Sequence, residues 1–466
     1  MISEGLVVAA SQAAADAGAR ALAAGGNAID AAVAAGFALC VVDSANCGLG
    51  GYGGFLIYLP PEGDAVEVDF NTWAPERLDP AGFRRPGDIS QSLTGGAAVA
   101  PPVTVPGLLT ALERLGRLAP ADVVAGAIGL ARDGFPVGRE LARALAEHWQ
   151  KRDGGRPSLA AVYYPAGRPP EEGEQLVQPE LARTLELVAR DGAAAFRSGP
   201  LVDAICATAR ADGGFLEPDD FLRDTVAVGP AETVTFESAA ISGPPRVTSG
   251  TGVLFSALAA LEPSALGANR SRAYIDEIAR ALLAAWDVRS EATNLALQSR
   301  NTTNLCAADS DGGIVTLTFT HGPWFGSGLV AEGTGMVLNA GANLFAPTAD
   351  GPRAVTNMAP LVVRRDDGTR HAVGGTGGPR IPALLLTAVV DVVHHGLSLA
   401  DALAAPHVSV RALERALEVE PELLETAGRG LPMGIRDYGP TAGLTRTADG
   451  CVAAVDPRFT TGVASA

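Results

Sequence analysis

Aromatic residues make up only 5% of the 466-residue chain, and its five cysteines (Cys40, Cys47, Cys206, Cys306, Cys451) are odd in number and scattered. Without CxxC spacing they give no disulfide framework or zinc pattern, and they suit a reduced compartment. Long apolar runs are also missing: residues 31–42, the most apolar early stretch, are too few to span a bilayer. Met1-Ile2-Ser3-Glu4-Gly5-Leu6 places no basic segment before an apolar one, so the expectation is a cytoplasmic chain without a secretory signal. Basic charge is in deficit, with 35 Lys and Arg against 52 Asp and Glu and a net charge of −17. That balance argues against nucleic acid or an anionic membrane surface as partner. No HExxH, Walker A loop or GxSxG elbow occurs, and no motif calls for a cofactor or metal. His394 and His395 are adjacent on a predicted helix and point to different faces. His148, His321, His371 and His407 are isolated and are expected at the surface or in packing roles.

What is present is core-forming material: 47% of the residues are hydrophobic, rich in Ala, with Gly punctuation. Apolar residues at helical spacing predict helices near 10–24, 27–40, 107–116, 120–133, 138–150, 178–191, 199–211, 251–261, 269–289 and 380–395. Residues 231–242 read as one strand and 153–177 as a long surface excursion. Beyond residue 303 short strands dominate, at 303–309, 313–321, 360–365, 370–374, 405–410, 415–420 and 450–455. Helices followed by strands, with no repeat and no flexible linker, fit one layered α+β unit built from both halves of the chain.

Two glycine clusters and one threonine pair are the chemical candidates. Gly48-Leu49-Gly50-Gly51-Tyr52-Gly53 satisfies GxGxxG, the signature on which a nucleotide-dependent oxidoreductase would rest. That motif binds dinucleotide when a strand precedes it and a helix follows. Here the order is reversed, which favours close backbone packing. Gly374-Gly375-Thr376-Gly377-Gly378 has the other context, a strand before it and a helix after, with Pro379 suited to a first helical position. Asn301-Thr302-Thr303-Asn304 opens a strand that an Asp-Gly turn, Asp311-Gly312, folds back onto a second strand. Were the bond before Thr302 cut, that residue would hold a hydroxyl nucleophile and an α-amine base titrating near pH ~8. By itself Asn-Thr-Thr is usually an ordinary turn with local side-chain bonds. Cys306, on the same strand, reads as a small apolar filler.

Several segments in one order resemble the gamma-glutamyltranspeptidase family: residues 21–34 (ALAAGGNAIDAAVA), Gly48 to Phe55, Val68-Asp69-Phe70 with Ala74-Pro75, Val105-Pro106-Gly107, Leu130 to Phe135, Gly374 to Gly378, and Asp456-Pro457-Arg458. The resemblance covers almost the whole chain. It implies an N-terminal-nucleophile hydrolase with a four-layer αββα sandwich that cuts itself into fragments 1–301 and 302–466, which stay associated. It also implies Thr302 as nucleophile, Thr320 as a threonine bonded to it, and Gly377 and Gly378 as oxyanion donors. No cofactor is implied.

The departures bear on substrate. Where glutathione-cleaving members carry an Arg for the substrate carboxylate, this chain has Asn71, and Leu344 beside Asn343 replaces the Asp that holds the α-ammonium. The Ser-Ser pair is Thr356-Asn357, the residue after the threonine pair is Asn304 instead of His, and Gly322 replaces an Asn. A pocket of Asn71, Trp73, Asn343, Thr356 and Asn357 is expected to take a small neutral or singly charged acyl group other than γ-glutamyl. The alternatives are cleavage of a C–C bond next to a carbonyl, as in a family branch of alkylproline antibiotic pathways, and an inactive homologue.

Overall fold

Strand Thr303–Ala308 is buried along its whole length, and its two faces enter different cores. Leu305 and Ala307 pack with the helices Gln12–Ala23, Ala28–Val42 and Pro120–Asp133, whereas Cys306 and Ala308 join residues of a second sheet. Alternation along a strand produces this split, and it requires that both faces of the sheet be covered. The computed structural model describes residues 3–78, 94–151, 156–292, 301–346, 348, 351–435 and 437–466.

Two antiparallel sheets carry the architecture. The first runs, edge to edge, Gly462–Ser465, Leu6–Ala9, Thr303–Ala308, Ile314–Thr320, Gly53–Leu59, Val66–Asp69 and Ala227–Pro230. The second runs Gly450–Val455, Thr441–Thr447, Arg370–Gly375, Leu361–Arg365, Ala239–Gly243 and Glu232–Phe236. Val8, Ile57, Cys306, Ile314, Val362, Ala372 and Leu444 fill the space between them. Outside the second sheet lie Thr251–Ala260, Ile381–Val393 and the long helix that starts at Arg272, around Phe255, Tyr274, Ile278 and Leu385. Three apolar layers separate four structural ones, and the fold is the αββα sandwich.

Most helices begin and end within three residues of their expected positions, helped by clear signals. Asn27 caps Ala28–Val42 by accepting from the amides of Ile29 and Asp30 while the Asp30 carboxylate accepts from the Asn27 amide. Other expectations are corrected. Residues 231–242 form a hairpin of two strands because Glu237 adopts φ 47°, a turn with no Gly or Pro to announce it. The 153–177 excursion contains the helix Pro157–Tyr163, which buries Leu159 and Tyr163. Helix Ile381–Val393 is preceded by a 3-10 turn, Gly378–Arg380. Of the two roles expected for the isolated histidines, His148, His321, His371 and His407 take the packed one, all four being buried. The Gly48–Gly53 cluster packs backbone closely, as expected. A Cβ on Gly50 would stand 2.1 Å from the Val337 carbonyl oxygen, and one on Gly51 2.3 Å from Thr104 Oγ1. Strand Gly53–Leu59 follows it, in the reverse of the dinucleotide-binding order.

Candidate active site

Thr302 lies at the mouth of the sandwich, just before an interior strand of the first sheet, and is 7% exposed. The end of the neighbouring strand brings Thr320 beside it. Thr320 Oγ1 is 2.9 Å from the carbonyl oxygen of Asn301 and 3.2 Å from that of Asn46, and it accepts from the Gly322 amide at 3.0 Å. A hydroxyl has one proton, so it serves one carbonyl at a time. The carbonyl before Thr302 is therefore in contact with a donor held in place from behind. One turn inward, the Asn304 side chain accepts from Thr318 Oγ1 at 2.8 Å and donates to the Ala442 carbonyl at 3.3 Å, joining the two sheets under the site. Only glycine fits opposite, since a Cβ on Gly374 would approach Asn304 Oδ1 to 2.0 Å.

From the second sheet, strand Arg370–Gly375 ends in the turn Thr376-Gly377-Gly378. Gly377 has φ 129° and Gly378 φ 60°, conformations open to glycine at little cost. Among the described residues neither of their amides donates a hydrogen bond. Arg380 fixes the turn from below: it forms a two-pronged ion pair with Glu418 at 3.0 and 2.9 Å, both side chains buried, and donates to the Asp437 carbonyl at 2.8 Å.

Two cavities meet at Thr302. The smaller, about 20 Å³, is lined by Tyr52, Leu344, Thr356, Asn357, Met358, Gly378 and Ile381. Asn357 is 4% exposed and neither atom of its amide has a hydrogen-bond partner. Its loop is secured by Arg289, which donates to the Thr356 carbonyl at 2.7 Å and whose guanidinium is pushed down to about 10 by burial. The larger cleft, about 370 Å³, opens on the other side, between Asp43 and Asn46, helix Arg139–Lys151, Trp324 and the 437–440 loop. On that side Asp43 is pushed up to about 6, chiefly by burial and slightly by Glu140, against the lowering effect of the Thr303 and Asn46 side chains.

Thus Thr302, Gly378, Thr356 and Asn357 share one cavity wall, with Gly377 and Thr320 adjoining. Asn71 and Trp73 line neither cavity. The Asn71 amide donates to Asp69 Oδ1 at 2.9 Å, and Trp73 lies between the guanidiniums of Arg223 and Arg353, 3.7 and 5.0 Å from its ring centre. The backbone of Asn343 is in the 3-10 turn Gly341–Leu344; its side chain lies outside the described residues. Asp43, Glu140, Arg143 and the 437–440 loop went unrecognised because they come from segments whose local pattern reads only as helix or loop. The one available signal was Asp43, an acid at a helix C-terminus where the macrodipole disfavours it. Cys306 is a buried thiol pushed up to about 12 by burial, as suits a filler. Among the described residues no cluster of metal-ligating side chains occurs, and no helix is long and apolar enough to cross a membrane.

The gamma-glutamyltranspeptidase profile matches residues 14–300 and 268–466, between them nearly the entire sequence. The chain belongs to the gamma-glutamyltranspeptidase family. Within this family it is 31% identical to the acylase ACY 1 proenzyme of Pseudomonas sp. (strain V22), over 92% of this chain and 86% of that protein. It is 28% identical to the glutathione hydrolase proenzyme of Escherichia coli (strain K12), over 98% and 90% of the two chains. The fold matches that of cephalosporin acylase from Bacillus halodurans with a TM-score of 0.82, over 100% of this chain and 96% of that one at 22% identity. The protein is a gamma-glutamyltranspeptidase-family hydrolase of the N-terminal-nucleophile type.

Proposed function

We propose that the chain cuts itself between Asn301 and Thr302, and that the freed Thr302 hydrolyses a small acyl compound other than glutathione. The observation that carries this reading is the 2.9 Å contact of Thr320 Oγ1 with the Asn301 carbonyl oxygen, because it polarises the one peptide bond whose cleavage would create the catalytic residue. In the first step Thr302 Oγ attacks the Asn301 carbonyl carbon, the C–N bond breaks as the nitrogen takes a proton, and an ester forms. Water hydrolyses the ester to an Asn301 carboxylate and a free Thr302 hydroxyl and α-amine. In turnover Thr302 Oγ attacks the substrate carbonyl and its own amine accepts the proton. The Gly377 and Gly378 amides, which donate to no other group among the described residues, hold the oxyanion. The leaving group departs with the proton, and water releases the acyl group from the threonine.

The substrate reading rests on the smaller cavity. It is narrow, with Leu344 and Met358 in its wall and no charged side chain, which suits a short acyl group better than the two charged ends of a γ-glutamyl chain. The unpaired Asn357 amide offers that group one donor and one acceptor, so a carbonyl or carboxylate edge next to the reacting carbon suits it. An acylase among the relatives is in keeping with this chemistry. The bulkier leaving portion would occupy the 370 Å³ cleft. An oxalyl-type acyl group answers the same description, which keeps C–C cleavage beside a carbonyl as the second reading.

The test has two parts. Mass spectrometry of freshly folded protein should find fragments 1–301 and 302–466, and only uncut chain in Thr302→Ala. The processed enzyme should then turn over a short-chain acyl amide or an oxalyl-proline compound at least about tenfold faster than γ-glutamyl anilide, a margin of about 1.4 kcal/mol. Rapid hydrolysis of glutathione at micromolar concentration would overturn the substrate assignment.

A further inference from the structure

The C-terminus of helix Ala28–Val42 brings an acidic turn to the nucleophile, and no step of the proposed reaction uses it. Asp43 lines the large cleft together with Asn301 and Thr302. Its Oδ1 accepts from the Asn46 side chain at 2.8 Å, while Oδ2 is occluded from solvent and has no hydrogen-bond partner. The hydroxyl of Thr303, the residue after the nucleophile, faces the Asp43 carboxyl and favours its ionised form. Asn46, three residues on, presents its carbonyl to Thr320 Oγ1, the hydroxyl that also reaches Asn301. The turn thus packs against the residues on both sides of the bond to be cut. A carboxylate left half-satisfied at the negative end of a helix opposes both polar pairing and the macrodipole.

The other charges facing this turn are committed elsewhere. On helix Arg139–Lys151, Arg143 pairs with Glu140 at 2.8 Å and Glu147 at 3.4 Å, Lys151 pairs with Glu147 at 3.5 Å, and both cations lie over the Trp324 ring. Across the cleft the 437–440 loop brings Asp437 and Tyr438, and beneath the turn Cys47 and Cys40 are buried thiols. Among the described residues no cation is bonded to Asp43 Oδ2.

We infer that Asp43 is the counter-ion of the α-ammonium group that self-cleavage creates on Thr302. This rests on the reading of Thr302 as the N-terminal nucleophile, and makes Asp43 a positioning residue that orients the amine and stabilises the ammonium formed when it takes the hydroxyl proton. The neutral form of Asp43 in the uncut chain, favoured below a pKa of about 6, gives way to the carboxylate once its partner exists.

The chain offers a direct readout. Lys151 is its only lysine, so fragment 302–466 carries a single amine, that of Thr302. Competitive acetylation of processed enzyme with acetic anhydride across pH, followed by mass spectrometry of this fragment, gives the amine's titration midpoint. Asp43→Asn should lower the midpoint by about one unit, the smaller end of the effect of an adjacent opposite charge, and Asp43→Glu should restore most of it. An unchanged midpoint in Asp43→Asn overturns the inference. Should that variant fail to fold or cut, carboxyl carbon NMR of Asp43 decides. Its midpoint should fall between the uncut Thr302→Ala chain and the processed wild type, and equal midpoints overturn the inference. A wild-type chain that yields no 302–466 fragment refutes the nucleophile reading itself, and the mass spectrum separates that failure from the other.

Discussion

At the scale of single residues, the site depends on what one hydroxyl donates to. Thr320 Oγ1 contacts the Asn301 carbonyl oxygen, and self-cleavage as proposed would part that carbonyl from Thr302 with the first fragment. The donor would then be available to the threonine hydroxyl. Thr320 is buried at the end of a strand flanked on both sides, and Val has nearly its shape, so Thr320→Val should leave the fold intact. Loss of one donor to a developing oxyanion costs about 10²–10³ in rate. The rate of appearance of fragment 302–466 from freshly refolded Thr320→Val chain should fall by about that factor, read as band intensity against time. Cleavage at the wild-type rate would mean that the contact is incidental to processing.

At the scale of elements, the glycine turn depends on the residue that follows it. Arg380 joins three pieces distant in sequence: the turn itself, Glu418 on strand Ala416–Val419 and the carbonyl of Asp437 in the cleft wall. Replacing it with Leu would strand the Glu418 carboxylate, which then keeps only Arg411. Removing one partner of a buried pair costs about 3–5 kcal/mol. Arg380→Leu should therefore lower the melting temperature by several degrees, and calorimetry checks this; Arg380→Leu combined with Glu418→Leu should recover part of the loss. The same elements show where the sequence was legible. Thr302 and the Gly377-Gly378 turn could be marked as candidates because threonine before a strand and paired glycines before a helix are local patterns, whereas Thr320, at the end of a strand, and the roles of all four followed from the family resemblance. Asn71 could be singled out too, and so could Asp69, but not the bond between them, which engages the Asn71 amide outside the cavity. The strands Leu6–Ala9 and Gly462–Ser465 escaped notice because each is four residues long, shorter than a reliable alternation. Asp43, Arg143 and Tyr438 escaped because what unites them is a cleft assembled from three segments, and no spacing along the chain encodes it.

At the scale of the molecule, self-cleavage would cut the chain without dividing the fold. The strand Thr303–Ala308 of the second fragment lies between Leu6–Ala9 and Ile314–Thr320, and Ile314–Thr320 in turn pairs along seven residues with Gly53–Leu59 of the first fragment. Leu6–Ala9 is held on its other edge by Gly462–Ser465, so a strand of fragment 1–301 is enclosed on both sides by fragment 302–466. The second sheet repeats the arrangement, with Ala239–Gly243 of the first fragment bonded to Leu361–Arg365 of the second. Both fragments bury their apolar faces in the same three cores, and neither has a complete sheet alone. An interface of that kind has the character of a domain interior, not of a docking surface. Processed protein should therefore elute from a sizing column as one species near 47.3 kDa, or a multiple of it, with both fragments in equal amount. Salt at about 1 M should not separate them, because screening removes surface ion pairs but leaves apolar burial in place. Denaturant should release both fragments in a single transition that coincides with loss of secondary structure. Separation of folded fragments by salt alone would show that the two halves are independent domains, against the shared sheets described above.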